Sequence, residues 1–124
     1  MLITHIYLNG HCSMAIDLYA DAFGGEVISV IKNPNPEVDL VIHAEMNIFG
    51  NKLMLNDHGD GDGHSTSGGY QLCVYFETKD ELMEVYSKFD EGSSIIMSPK
   101  PTDYSECVVR FIDKFDVHWA FVVN

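Results

Sequence analysis

The stretch HCSMAIDLYADAFGGEV, residues 11 to 27, decides the fold. Ala15, Ile16, Tyr19, Ala20 and Phe23 recur at helical spacing, Ser13 stands where a capping hydroxyl belongs, and Gly24 and Gly25 end the periodicity. Glu26 and Val27 then open a strand-like run, EVISVI. A second helix is written in TKDELMEVYSKF, residues 78 to 89. There Thr78 and Glu81 have capping-box spacing, and Leu82, Val85, Tyr86 and Phe89 make the apolar stripe.

Strand-like runs surround each helix. ITHIYL, EVISVI, DLVIHAEMNI and NKLMLN accompany the first, and YQLCVYF, SSIIMS, ECVVRFI and VHWAFVV accompany the second. The order is strand, helix, three strands, twice over. A gapless shift of sixty-six positions relates Phe23 to Phe89, Val30 to Ile96, Phe49 to Phe115, Ile16 to Leu82 and Leu8 to Val74. The expected fold class is therefore α+β, built as two tandem βαβββ modules. Module one spans residues 1–57, a linker 58–68 and module two 69–124, together one domain of 124 residues. Each sheet can cover one face with its own helix, and two such sheets, side by side or exchanged between chains, would enclose a cavity.

The net charge of −12, from 19 acidic and 7 basic residues, opposes nucleic acid and anionic membrane as partners. No apolar run is long enough to span a bilayer, and MLITHIYLNG has no basic leader, so a cytoplasmic protein is expected. Cys12, Cys73 and Cys107 are widely spaced and odd in number, which suits free thiols. Cys12, beside a helix start, is the thiol expected to react with an alkylating probe, while Cys73 reads as a small buried hydrophobe.

Strand alternation sorts the two faces of each sheet. Ile6, Leu8, Leu53, Leu55, Leu72, Val74, Phe76, Trp119, Phe121 and Val123 belong with the helices. His5, Tyr7, Met54, Gln71, Cys73, His118 and Ala120 point the other way, into the concavity. His43 and Glu45 share a face of the third strand and are the candidates for acid-base chemistry, with solvent exposure as the plainer reading. Arg110 and His118 could draw in an anionic ligand; a salt bridge between Arg110 and a carboxylate is the competing explanation.

NGHCSMAIDLYADAFGGEV, HAEMNIFGNKLMLND and FIDKFDVHW together resemble the PhnB-like branch of the vicinal oxygen chelate superfamily, which includes glyoxalase I, fosfomycin and bleomycin resistance proteins and extradiol dioxygenases. The resemblance spans nearly the whole chain and implies paired βαβββ modules and a homodimer. It also implies metal-ligand positions on the first and fourth strands of each module, which fall on His5, Met54, Gln71 and Ala120. Neither Met54 nor Ala120 suits a hard or borderline ion, so His5 and Gln71 remain as vestigial ligands and no tightly bound metal or other cofactor is expected. One segment departs from the family: its aromatic-Gly-x-Arg-Tyr-Gly run stands here as YSECVVR, with Tyr104 in the aromatic place.

The leading expectation is a small-molecule-binding protein of this type. The alternatives are a metal-dependent lyase, isomerase or transferase in which His5 and Gln71 hold a divalent ion with further ligands, or an interaction module whose cavity is filled by side chains. The glycine-rich NDHGDGDGHSTSGG, residues 56 to 69, looks like a calcium loop for a few residues only. A twelve-residue loop begun at His58 ends on Gly69 and one begun at Asn56 ends on Ser67, where a bidentate glutamate is required. A joint between the modules is the better reading.

Overall fold

The computed structural model describes residues 1–57 and 70–124, so most of the glycine-rich joint lies outside the described residues. The chain divides into two compact units, Met1–His64 and Ser65–Asn124. The first runs β1 (Thr4–Tyr7), α1 (Cys12–Phe23), β2 (Glu26–Lys32), β3 (Val41–Ile48) and β4 (Asn51–Asn56). The second runs β5 (Leu72–Phe76), α2 (Lys79–Ser87), β6 (Ser94–Lys100), β7 (Val108–Ile112) and β8 (His118–Val123). Their sheets have equivalent orders, β1-β4-β3-β2 and β5-β8-β7-β6, with the first and last strand of each unit parallel and the other pairings antiparallel. Two tandem βαβββ modules are thus what the chain forms. No helix among the described residues is long and apolar enough to cross a membrane.

In the first unit Ala15, Ile16, Tyr19 and Phe23 of α1 are buried, as are Ile6, Leu8, Ala44, Met46, Leu53 and Leu55, the strand residues of matching parity. α1 ends on Gly24, whose φ of 63° is the left-handed conformation that glycine adopts without steric cost. Its start differs from expectation. The residue before the first turn is His11, and neither it nor Ser13 supplies a side-chain cap. The cap comes from the end of β4 instead. Asp57 Oδ1 accepts the amides of Gly10 at 2.7 Å and Cys12 at 3.0 Å, while Oδ2 accepts that of Val41 at 2.8 Å. Asp57 in turn donates its own amide to the Val41 carbonyl at 2.9 Å.

The second unit caps its helix locally, through Thr78 Oγ1 and the Glu81 amide at 3.1 Å, as the capping box predicts. Its core is aromatic: Phe89 stands 5.3 Å from Phe111, 5.9 Å from Trp119 and 5.7 Å from Phe121, ring centre to ring centre. A second buried carboxylate, Asp113, accepts the amides of Phe115 at 2.8 Å and Val117 at 3.1 Å and the Trp119 indole N–H at 2.9 Å. The β7–β8 connection is thereby tied to the core.

The shift of sixty-six positions holds for the helices and for β4 against β8, but not throughout. His5 pairs with Met54, and the residue that pairs with Ala120 is Cys73, not Gln71. The first strands are therefore offset by sixty-eight positions, because the chain between β1 and α1 is two residues longer than its counterpart and turns through Asn9 and Gly10 at positive φ. Phe49 and Phe115 also differ. Phe49 and Gly50 form a tight turn with φ of 52° and 80° and leave the Phe49 ring exposed, whereas Phe115 is buried in a longer connection.

Asp57→Ala should lower unfolding free energy by about 3 kcal/mol in urea titrations, since three amides lose a charged acceptor, and Asp57→Asn should cost less. Phe23→Ala and Phe89→Ala should each cost about 3 to 5 kcal/mol.

Candidate functional site

Each sheet has a face turned away from its helix, and most of the residues singled out from the sequence lie there. On the first sheet, register aligns His5, Met54, Glu45 and Ser29 in one row across the strands. Tyr7 pairs with Asn56 in the next, and His43 with Ile31. The side chains interact. His5 stacks on Tyr7, with ring centres 4.7 Å apart, and meets His43 edge-on at 6.0 Å. His43 Nε2 lies 3.5 Å from Glu45 Oε1, and Lys52 Nζ lies 3.4 Å from Glu45 Oε2. His43 and Glu45 are half-buried and paired, where the plainer sequence reading had both in solvent. The hydrogen bond with His43, aided by Lys52 and opposed by partial desolvation, holds the Glu45 carboxyl below its ordinary pKa.

The protonation of His5 follows from its neighbours. Asn56 donates Nδ2–H to the Asp57 carbonyl at 2.9 Å, and a carbonyl can only accept. The amide oxygen of Asn56 is therefore the atom that faces His5 Nε2, and Nε2 must carry the hydrogen. In neutral His5 the lone pair is then on Nδ1. This is the nitrogen with which His5 can accept a ligand hydrogen bond or a proton.

On the second sheet the equivalent row is Cys73, Ala120, Arg110 and Met97. Gln71 precedes β5 and bridges two members of this set: Arg110 Nε donates to its Oε1 at 3.1 Å, and its Nε2 donates toward Cys73 Sγ at 3.7 Å. His118 is half-buried under Tyr70, with ring centres 5.1 Å apart. Burial is the main cause that pushes the Tyr70 phenol pKa up. Tyr104 lies outside the row, exposed on the connection between β6 and β7.

A divalent catalytic centre takes at least three nitrogen, oxygen or thiolate ligands. The four positions equivalent to the implied ligand set are, by observed register, His5, Met54, Cys73 and Ala120. That donor set does not fit such a centre. Among the described residues no three His, Cys, Asp or Glu side chains are grouped to hold an ion.

Two cysteine expectations are corrected. Cys73 is exposed, because its strand position faces away from α2. Cys12 is wholly buried, and burial, with the Asp57 carboxylate beside it, pushes its thiol pKa up to about 12. The favourable helix end is already occupied by that carboxylate. Asn56 and Lys52, which hold His5 and Glu45, are not among the site candidates that the sequence offers. Alternation places both on the same face as Met54, but only register shows what they touch.

Two βαβββ units in tandem, each with a helix over one face, are a fold that this chain shares with solved structures that include a PhnB protein and a fosfomycin resistance protein. The PhnB protein from Bacillus cereus is 23% identical, with 99% of this chain and 98% of that one covered at a TM-score of 0.89. A protein from Pseudomonas aeruginosa is 22% identical over 100% and 97% of the two chains, at 0.91. The fosfomycin resistance protein FosX from Listeria monocytogenes, in complex with manganese(II) and sulfate, is 8% identical over 100% and 91%, at 0.69. At these identities the likeness is one of fold. No family model and no curated protein matches the sequence.

Iodoacetamide added to the native protein at neutral pH should modify Cys73, with Cys12 and Cys107 following only after denaturation, as peptide mass spectrometry would read. Imidazole nitrogen NMR should find neutral His5 with its hydrogen on Nε2, and Asn56→Leu should leave a mixture of tautomers.

Proposed function

We propose that the chain is a PhnB-like vicinal oxygen chelate protein that binds a small molecule on the open faces of its sheets and works without a strongly bound metal. The observation that carries this reading is the state of His5. By register only His5 and Cys73 of the four strand positions carry a nitrogen or thiolate donor, one fewer than a divalent centre needs, and His5 Nε2 is committed to Asn56. Met54 opposite it offers only a thioether. The same face still presents groups suited to a polar ligand: the Nδ1 lone pair of His5, the Tyr7 ring and the Glu45 carboxylate held by His43 and Lys52. The homodimer and the cytoplasmic placement expected from the sequence remain part of this reading.

Two measurements test it. Protein purified without a histidine tag should carry far less than one equivalent of zinc, nickel, manganese or iron, and a thermal-shift screen of small metabolites should raise the melting temperature with no metal added. Stoichiometric metal that is lost in His5→Ala would overturn the proposal and establish the metal-dependent alternative. Failure of every small molecule to shift the melting temperature would favour the interaction module.

A further inference from the structure

Arg110 is the chain's only arginine, set among 19 acidic residues. Among the described residues it nevertheless forms no ion pair, unlike Lys32 with Asp39 or Lys52 with Glu45. It donates instead to a neutral group, the Gln71 side-chain oxygen, which takes the Nε–H at 3.1 Å. The guanidinium Nε can only donate, so the Gln71 amide is oriented with its oxygen toward Arg110 and its nitrogen toward Cys73. One edge of the guanidinium is thus held by β5's approach while Arg110 itself remains exposed on β7.

We infer that Arg110 is an anion-binding residue, oriented by Gln71, that takes the oxyanion group of a small ligand, a carboxylate or a phosphonate, on the open face of the second sheet. A guanidinium presents paired N–H donors whose spacing matches two oxygens of such a group, a geometry that lysine cannot reproduce. Fixing Nε through a neutral amide leaves the positive charge uncompensated by any described side chain, which a carboxylate partner would have cancelled. Gln71, implied by the resemblance as a metal ligand, becomes a positioning residue. The inference rests on the small-molecule reading above and supplies the chemical class of its ligand.

Because the chain has one arginine, its Nε–H gives a single assignable signal in an arginine-selective proton–nitrogen NMR spectrum. Titration at constant ionic strength with benzoate, phenylphosphonate, inorganic phosphate and uncharged benzamide should shift that signal saturably with the oxyanions and leave it in place with benzamide. The stronger of benzoate and phenylphosphonate identifies the group. Arg110→Lys should weaken binding of that probe, followed by calorimetry, by about tenfold. Gln71→Leu should weaken it by several fold while leaving the thermal unfolding midpoint near that of the native protein. No saturable shift with any oxyanion, an equal shift with benzamide, or full-strength binding by both variants would each overturn the assignment. Small molecules that raise the melting temperature without moving the Arg110 signal would leave the broader reading standing and sink this one.

Discussion

The buried carboxylate of Asp57 is the constraint on which the first unit depends. α1 begins without a side-chain cap of its own, so its first amides need an acceptor from elsewhere, and β3 begins with an amide that no neighbouring strand takes. One carboxylate at the end of β4 answers both, through Gly10, Cys12 and Val41. The backbone carbonyl of the same residue orients Asn56, and Asn56 determines which nitrogen of His5 carries the hydrogen. A structural tie and the candidate site therefore share one residue. The tie also helps to push the Cys12 thiol pKa up at a helix start that should favour a thiolate: the thiol is out of water, and the dipole is already answered by a negative charge.

The second unit solves the same problem by different means. Thr78 caps α2 within four residues of chain, and the buried carboxylate has moved to Asp113, where it holds a connection and the Trp119 indole. With a local cap, the chain from β5 to α2 runs two residues shorter, and the strand is displaced by one pleat repeat relative to the sequence match. Side-chain parity survives a shift of two, so the apolar set still faces the helix. The identity of the residue at each row does not survive it.

That displacement shapes the chemistry of the two open faces. At corresponding places stand His5 and Cys73, Met54 and Ala120, Glu45 and Arg110. One architecture thus presents an imidazole and an anchored carboxylate on one sheet, and a thiol and an oriented guanidinium on the other. Among the described residues neither face groups three His, Cys, Asp or Glu side chains as a divalent centre requires.

Much of this was legible in the amino-acid order. Helical spacing located both helices, alternation assigned His5, Tyr7, Met54 and Cys73 to the faces away from them, and the capping box at Thr78 is local enough to be read directly. These features depend on neighbours within a turn or a pleat. Register between strands does not, because a pairing such as Cys73 with Ala120 joins residues forty-seven positions apart and depends on how long the intervening connections are. For the same reason, the remote cap from Asp57, the tautomer of His5 and the partner of Arg110 were decided only when the strands came together. By itself the sequence determined the elements, their order and the face that the side chains of β1, β4, β5 and β8 take; tertiary structure decided what each one touches, since contact across a sheet is set by pairing and not by proximity along the chain.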